Sequence, residues 1–147
     1  MIYRLIYKLL YDAPGVRDRV GTRIYARQSP AGVTGENIVI SLVGGTIHNH
    51  VSNECSVGER MVQVSFFADS AVLAESGFEL VRLRMSGFAD ELEALDPTGT
   101  PRDYTVQANL VAANDSVGSP QNASDRWAHQ HSGDFQVFFE QDVPTHA

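Results

Sequence analysis

The sequence has a single cysteine, Cys55, so no disulfide can form within the chain and no cysteine-only metal cluster can assemble. A free thiol in a reducing compartment is the expected state. No apolar run approaches the roughly 20 residues that a membrane-spanning helix needs. Residues 1–11 are apolar but include Arg4 and Lys8, with no small-residue cleavage site behind them. They read as a packed helix and not as a signal peptide, and no membrane partner is expected. Without a secretion signal, the glycosylation-type triplet Asn122-Ala123-Ser124 carries no weight.

Basic residues are also scarce. Eleven Lys and Arg face eighteen Asp and Glu, for a net charge of −7. An acidic body argues against wrapping nucleic acid, which needs many phosphate contacts from Lys and Arg. The imbalance is uneven along the chain. Residues 1–35 hold six basic against two acidic residues, a net of +4, and residues 36–147 hold five against sixteen, a net of −11. Two readings stay open. A basic surface can meet a neighbour's acidic one, or folding can intermix the two sets on one surface.

Signatures of chemistry are missing as well. Gly-x-Ser-x-Gly does not occur, and Gly44-Gly45 lacks the lysine and helix of a phosphate loop. Basic and aromatic residues are not interleaved as in RNA-binding modules. No catalytic, cofactor-binding or metal residues are expected, nor any enzyme activity.

What the sequence does have is enough apolar material for a core. Its 147 residues are 43% hydrophobic and 20% charged, which suits one soluble globular domain spanning 1–147. Ile2, Leu5, Ile6, Leu9 and Leu10 recur at helical spacing, with Tyr3, Tyr7 and Tyr11 on an adjoining stripe. Pro14-Gly15 ends that helix, and Val16 and Val20 suggest one more short turn closed by Gly21. Arg23-Ile24-Tyr25 reads as a brief strand. Residues 37–43 are β-branched and apolar on both faces, as in a central strand.

Residues 46–58 are polar and long for a hairpin loop, so they form either an outward ribbon or a mobile arm. Residues 60–67 alternate, with Val62, Val64 and Phe66 on one side and Met61, Gln63, Ser65 and Phe67 on the other. Asp69 and Ser70 are N-cap candidates for a second helix, whose apolar stripe is Leu73, Ala74, Phe78, Val81 and Met85. Gly77 inside it costs about 1 kcal/mol relative to alanine and points to close packing on a sheet. Residues 88–95 read as a turn of acidic helix, 104–112 as a strand, and 114–124 as a loop. Residues 127–141 alternate at unusual length, and a bulge at Gly133 would shift the phase. The expected class is α+β, an antiparallel sheet of four to five strands with two helices packed on one face.

The one metal candidate is a pair of His-x-His motifs, His48/His50 and His129/His131. Residues two apart on a strand project to one side, and four imidazoles brought together would suit zinc. The competing reading is surface histidines on two hairpins. Cys55 is flanked by Glu54 and Glu59, not the electropositive setting of a reactive thiol. Asp90, Glu91 and Glu93 read as a solvated acidic face and not as an acid/base pair.

The succession of elements resembles the tail-completion, or tail-terminator, proteins of long-tailed bacteriophages. The resemblance runs from the first helix to Phe139. It rests on Gly21-Thr22-Arg23-Ile24-Tyr25, on residues 38–43 followed by Gly44-Gly45, and on Asp134-Phe135-Gln136-Val137. The most telling piece is residues 60–68 running straight into a helix. The resemblance implies a structural virion protein: a ring, usually a hexamer, at the head-proximal end of the tail tube. It would end tube polymerisation and contact a tail tube protein and a head-tail connector or neck protein. DNA would pass through its lumen without specific binding. Residues 46–58 and 114–124 are then the candidates for reaching neighbouring copies. The alternatives are a sister neck ring, a small metal-binding module, or an adaptor that recruits a peptide to a strand edge.

Overall fold

The structure is a computed structural model that describes residues 2–30, 35–49, 54–118 and 128–140. The chain begins with α1 (Ile2–Tyr11), whose buried side is the expected stripe of Ile2, Leu5, Ile6, Leu9 and Leu10. Helix α2 (Pro14–Val20) starts on a proline, which lacks the N–H that would be unsatisfied there, and it buries Val16 and Val20. Strand β1 (Ile24–Ala26) is three residues long. Then come β2 (Asn37–Asn49), β3 (Glu54–Ala68), α3 (Ala71–Met85), β4 (Phe88–Leu95), β5 (Pro101–Gly118) and β6 (Ala128–Glu140).

The six strands form one sheet in the order β1-β2-β3-β6-β5-β4. The class is α+β as expected, but the details differ. There are three helices, not two, and six strands, not four to five. The sheet is mixed, because β1 pairs with β2 in parallel while every other pairing is antiparallel. The acidic segment 88–95 is a strand and not a helical turn. Its period is two: Leu92 is buried and Phe88 and Ala94 are half-buried on one side, with acids between them.

A tight turn at residues 96–100 joins β4 to β5. Asp96 Oδ1 accepts from the N–H of Thr98 and of Thr100, each at 2.9 Å, and from the Thr98 hydroxyl at 2.6 Å. Gly99 takes the positive φ of 86° that closes the turn, a region other side chains disfavour.

The ribbon reading of 46–58 holds for the backbone, since β2 and β3 stay paired out to Asn49↔Glu54, while residues 50–53 lie outside the described residues. Residues 114–118, expected as loop, continue β5 paired with β6, and 119–127 lie outside the described residues.

Helix α3 opens on Ser70, whose Oγ accepts from the Leu73 N–H at 3.2 Å. Its buried face is Ala74, Gly77, Phe78, Val81 and Met85, whereas Leu73, expected in the stripe, is exposed. Two glycines explain how the helix seats. A Cβ on Gly77 would lie 2.2 Å from Phe66 of β3, and a Cβ on Gly133 of β6 would lie 2.3 Å from Phe78 of α3. Each glycine is the socket for a ring from the opposite layer. Gly133 is therefore not a bulge: β3 and β6 pair without interruption from Val57↔Glu140 to Ala68↔His129. The register shifts fall instead between Leu42 and Gly44 and between Ile47 and Asn49 of β2, and between Leu110 and Ala112 of β5.

Helices and sheet share one apolar cluster, with Tyr104, Phe66 and Phe135 its largest fully buried members. The basic N-terminal segment, residues 1–35, is stitched into the body. Arg19 of α2 forms a two-pronged ion pair with Glu36 at 2.6 Å and reaches Leu73 O at 3.3 Å. Arg23 donates to the Glu36 carbonyl at 2.8 Å, and Lys8 pairs with Asp12 at 3.3 Å. The Arg19–Glu36 pair joins the two charge sets, in line with the second of the two readings of the charge split, while Lys8–Asp12 stays within the first.

Candidate assembly surfaces

Two long stretches of strand have no neighbour among the described residues. Strand β1 covers β2 only from Ile38 to Ile40, so residues 41–49 present an open edge. Strand β4 covers β5 only up to Ala108, and Leu110 N is met by Ser86 Oγ at 3.3 Å, so residues 111–118 present a second one.

Hydrogen bonds fix which amides point outward. Ile38 N donates to Arg23 O at 2.9 Å, and Arg27 N to Ile40 O at 2.7 Å, so even-numbered residues of β2 face the β1 side. Past the bulge the phase moves by one, and Gly45 and Ile47 face outward. On β5, Ala108 O accepts from Gly87 N at 2.8 Å, and Leu110 shares its side. Past that bulge Ala113, Asp115 and Val117 take over. Each bulge leaves a valine standing in solvent, Val43 and Val111, both 59% exposed.

The helix-free face of the sheet is a third surface. By strand alternation it displays neutral residues such as Gln63, Gln107 and Gln136. Glu59, Glu91, Glu93, Asp103, Asp134 and Glu140 are its acids, and Glu140 is paired with Arg102 at 2.7 Å. Among the described residues on this face there is no Arg or Lys. Its centre is a buried polar knot in which Ser65 Oγ and Ser132 Oγ lie 2.9 Å apart. Gln130 Nε2 donates to both hydroxyls, at 3.0 and 2.7 Å. Gln136 donates to Glu59 at 2.7 Å.

A cavity of about 490 Å³ lies where the two outer strands approach α1, lined by Tyr3, Tyr7, Arg4, Tyr25 and Leu95 among others. The tyrosine row thus borders the core, and Tyr7 stacks on Tyr11 at 5.7 Å.

Of the His-x-His pairs, His129 and His131 lie on β6 and His48 lies on β2. His131 touches Asp115 and packs on the Phe78 ring at 4.7 Å, level with Phe66 on β3. His48 follows Ile47, which is level with Gly58. Gly58 and Phe66 are eight residues apart on one strand, about 26 Å. His50 lies outside the described residues. Cys55 sits on β3 at the ribbon end. Among the described residues no three His, Cys, Asp or Glu are grouped to hold a metal. Asp90, Glu91 and Glu93 are exposed, on a strand and not on a turn, and alternation sends Asp90 to the opposite side from the other two. No helix among the described residues is long and apolar enough to cross a membrane.

No family model matches the chain, and no curated protein matches it. Among solved structures it is similar to a chain of the virion of a native gene transfer agent (GTA) particle. The TM-score is 0.57 over 92% of this chain and 91% of that one. Sequence identity is 14%, so the likeness is one of fold.

Proposed function

We propose that this chain is a structural virion protein, forming a ring at the head-proximal end of a phage-type tail and joining tail to head. The observation that carries this reading is a fold likeness spanning about nine-tenths of both this chain and a chain of a virion particle. Two strand edges that are unpaired among the described residues, on opposite sides of one sheet, support it, because head-to-tail contacts of that kind form a ring when the rotation between copies closes.

On this reading the ring, a hexamer by family resemblance, seats on the tail tube protein with one rim and meets a connector or neck protein with the other. The helix-free face turns toward the lumen. With no cation among its described side chains, it lets DNA slide past without the counterion release that would hold it. The role is assembly and not catalysis, carried out in the host cytoplasm and ending in the virion. A sister neck ring is the nearest alternative, and it differs only in the neighbours it contacts.

Removing the gene from a producing strain tests the reading. Expected are overlong tail tubes that never attach to heads. Particles with tails of normal length, joined and infectious, would overturn it.

A further inference from the structure

We infer that copies of this chain join edge to edge, residues 41–49 of β2 in one copy pairing antiparallel with residues 111–118 of β5 in the next. This rests on the ring reading above and assigns its interface.

The first ground is how the molecule treats its edges. An open strand edge recruits other strands unless it is short, charged or covered. The outermost strands obey that rule: β1 is three residues long and flanked by Arg23 and Arg27, and β4 carries Asp90, Glu91 and Glu93. The two inner open stretches break it. Across residues 41–49 and 111–118 there is one charged residue, Asp115, and no Pro or Lys. Each begins at a bulge with an exposed valine, Val43 or Val111. Surfaces of that composition are built to be covered.

The second ground is direction. Strand β2 runs antiparallel to β3, β3 to β6, and β6 to β5, so β2 and β5 run oppositely within one copy. Like-oriented neighbours therefore bring the two edges together as an antiparallel pair. The outward amides of Gly45 and Ile47 then face those of Ala113, Asp115 and Val117.

The third ground is stagger. Gly45 is level with Arg60 on β3, while Asn114 is level with Ser132 and hence with Ser65. The edge centres are thus five residues apart along β3, about 17 Å, across four strands spanning about 19 Å. Matching them tilts the strands by about 40°, inside the ~35–45° range at which sheets close into barrels. A second copy of this chain satisfies edge, direction and stagger together; a loose peptide would need only one edge.

Two proline substitutions test this, each deleting one outward N–H while leaving the ladder inside the sheet intact. Gly45→Pro blocks the β2 edge and Ala113→Pro the β5 edge. Native mass spectrometry of the concentrated protein should give closed rings for the wild type and monomers for each variant alone. The equimolar mixture should give dimers that grow no further, joined through the one intact pair of edges. Variants that assemble like the wild type overturn the edge pairing and leave the ring reading standing. A dimer of either variant alone overturns the head-to-tail pairing. A wild type that stays monomeric even when mixed with tail tubes overturns the ring reading itself. Should either variant fail to fold, hydrogen exchange on wild-type rings decides. Amides in 41–49 and 111–118 should slow at least tenfold on assembly while those of β4 do not, and unchanged exchange in both stretches overturns the pairing.

Discussion

The ring of Phe66 occupies the space that a side chain at position 77 would need, its Cε1 standing 2.2 Å from an ideal Gly77 Cβ. Helix α3 can approach β3 this closely only because position 77 has no side chain, and Phe66 is 1% exposed as a result. Gly77→Ala gains about 1 kcal/mol of helix propensity but forces overpacking worth about 1–3 kcal/mol in a core with no slack. We expect net destabilisation, read as a lower urea midpoint at unchanged slope. In a Phe66→Leu background the same substitution should cost less, and a double-mutant cycle measures that coupling.

Arg19 and Glu36 hold α2 to the start of β2. Their side chains are 26% and 20% exposed, and Arg19 also lies over the Phe66 ring, 5.5 Å from its centre. The hydrogen bond to Glu36 raises the guanidinium pKa above its ordinary value, so Arg19 keeps its charge at any working pH. Glu36→Gln breaks a two-pronged, charge-assisted contact and should destabilise by about 1–2 kcal/mol in denaturant titration. Arg19→Lys should lose nearly as much, since an ammonium cannot make the paired contact.

The β4–β5 turn should loosen in acid. The Thr98 hydroxyl bond, followed by the Thr100 N–H, holds the Asp96 carboxyl below its usual range. A folded-state pKa below the unfolded value gives stability that is present above roughly pH 4 and is lost as pH falls through the folded value. Amide resonances of Thr98 and Thr100 should titrate together in that window by NMR. Asp96→Asn should abolish the titration and leave the turn as weak at neutral pH as the wild type is in acid.

A single charge in either open edge should stop assembly without harming the fold. Val43 and Val111 are exposed, and surface substitutions of this kind change stability by about 0.5 kcal/mol or less. Val111→Asp and Val43→Asp should shift sedimentation of the concentrated protein to the monomer, yet keep the thermal midpoint of wild-type protein diluted until it is monomeric. A fall in the midpoint would instead mean that these valines support the folded chain itself.

Much of this architecture was legible in the residues. The α1 stripe, the alternation around Val62, Val64 and Phe66, the Ser70 cap and the close approach at Gly77 are local patterns, and each appears where spacing predicted it. The failures have a common cause. Strand β4 hides behind its acids, because Asp90, Glu91 and Glu93 suit either a helix surface or an edge strand, and only pairing with β5 decides. The parallel pairing of β1 involves three residues, too few to announce a direction. The bulge expected at Gly133 lies across the ladder on β5, because register belongs to two strands at once. The candidate interface was half visible. Residues 46–58 and 114–124 stood out as long polar segments, but which stretches stay unpaired depends on strand order, a property of the whole sheet.

Electron cryomicroscopy of intact particles containing this chain tests the central claim most directly. The account predicts a single closed ring of copies between tail tube and head, with β2 of each copy lying beside β5 of the next. Copies distributed along the tube, or a junction from which the chain is absent, would contradict it.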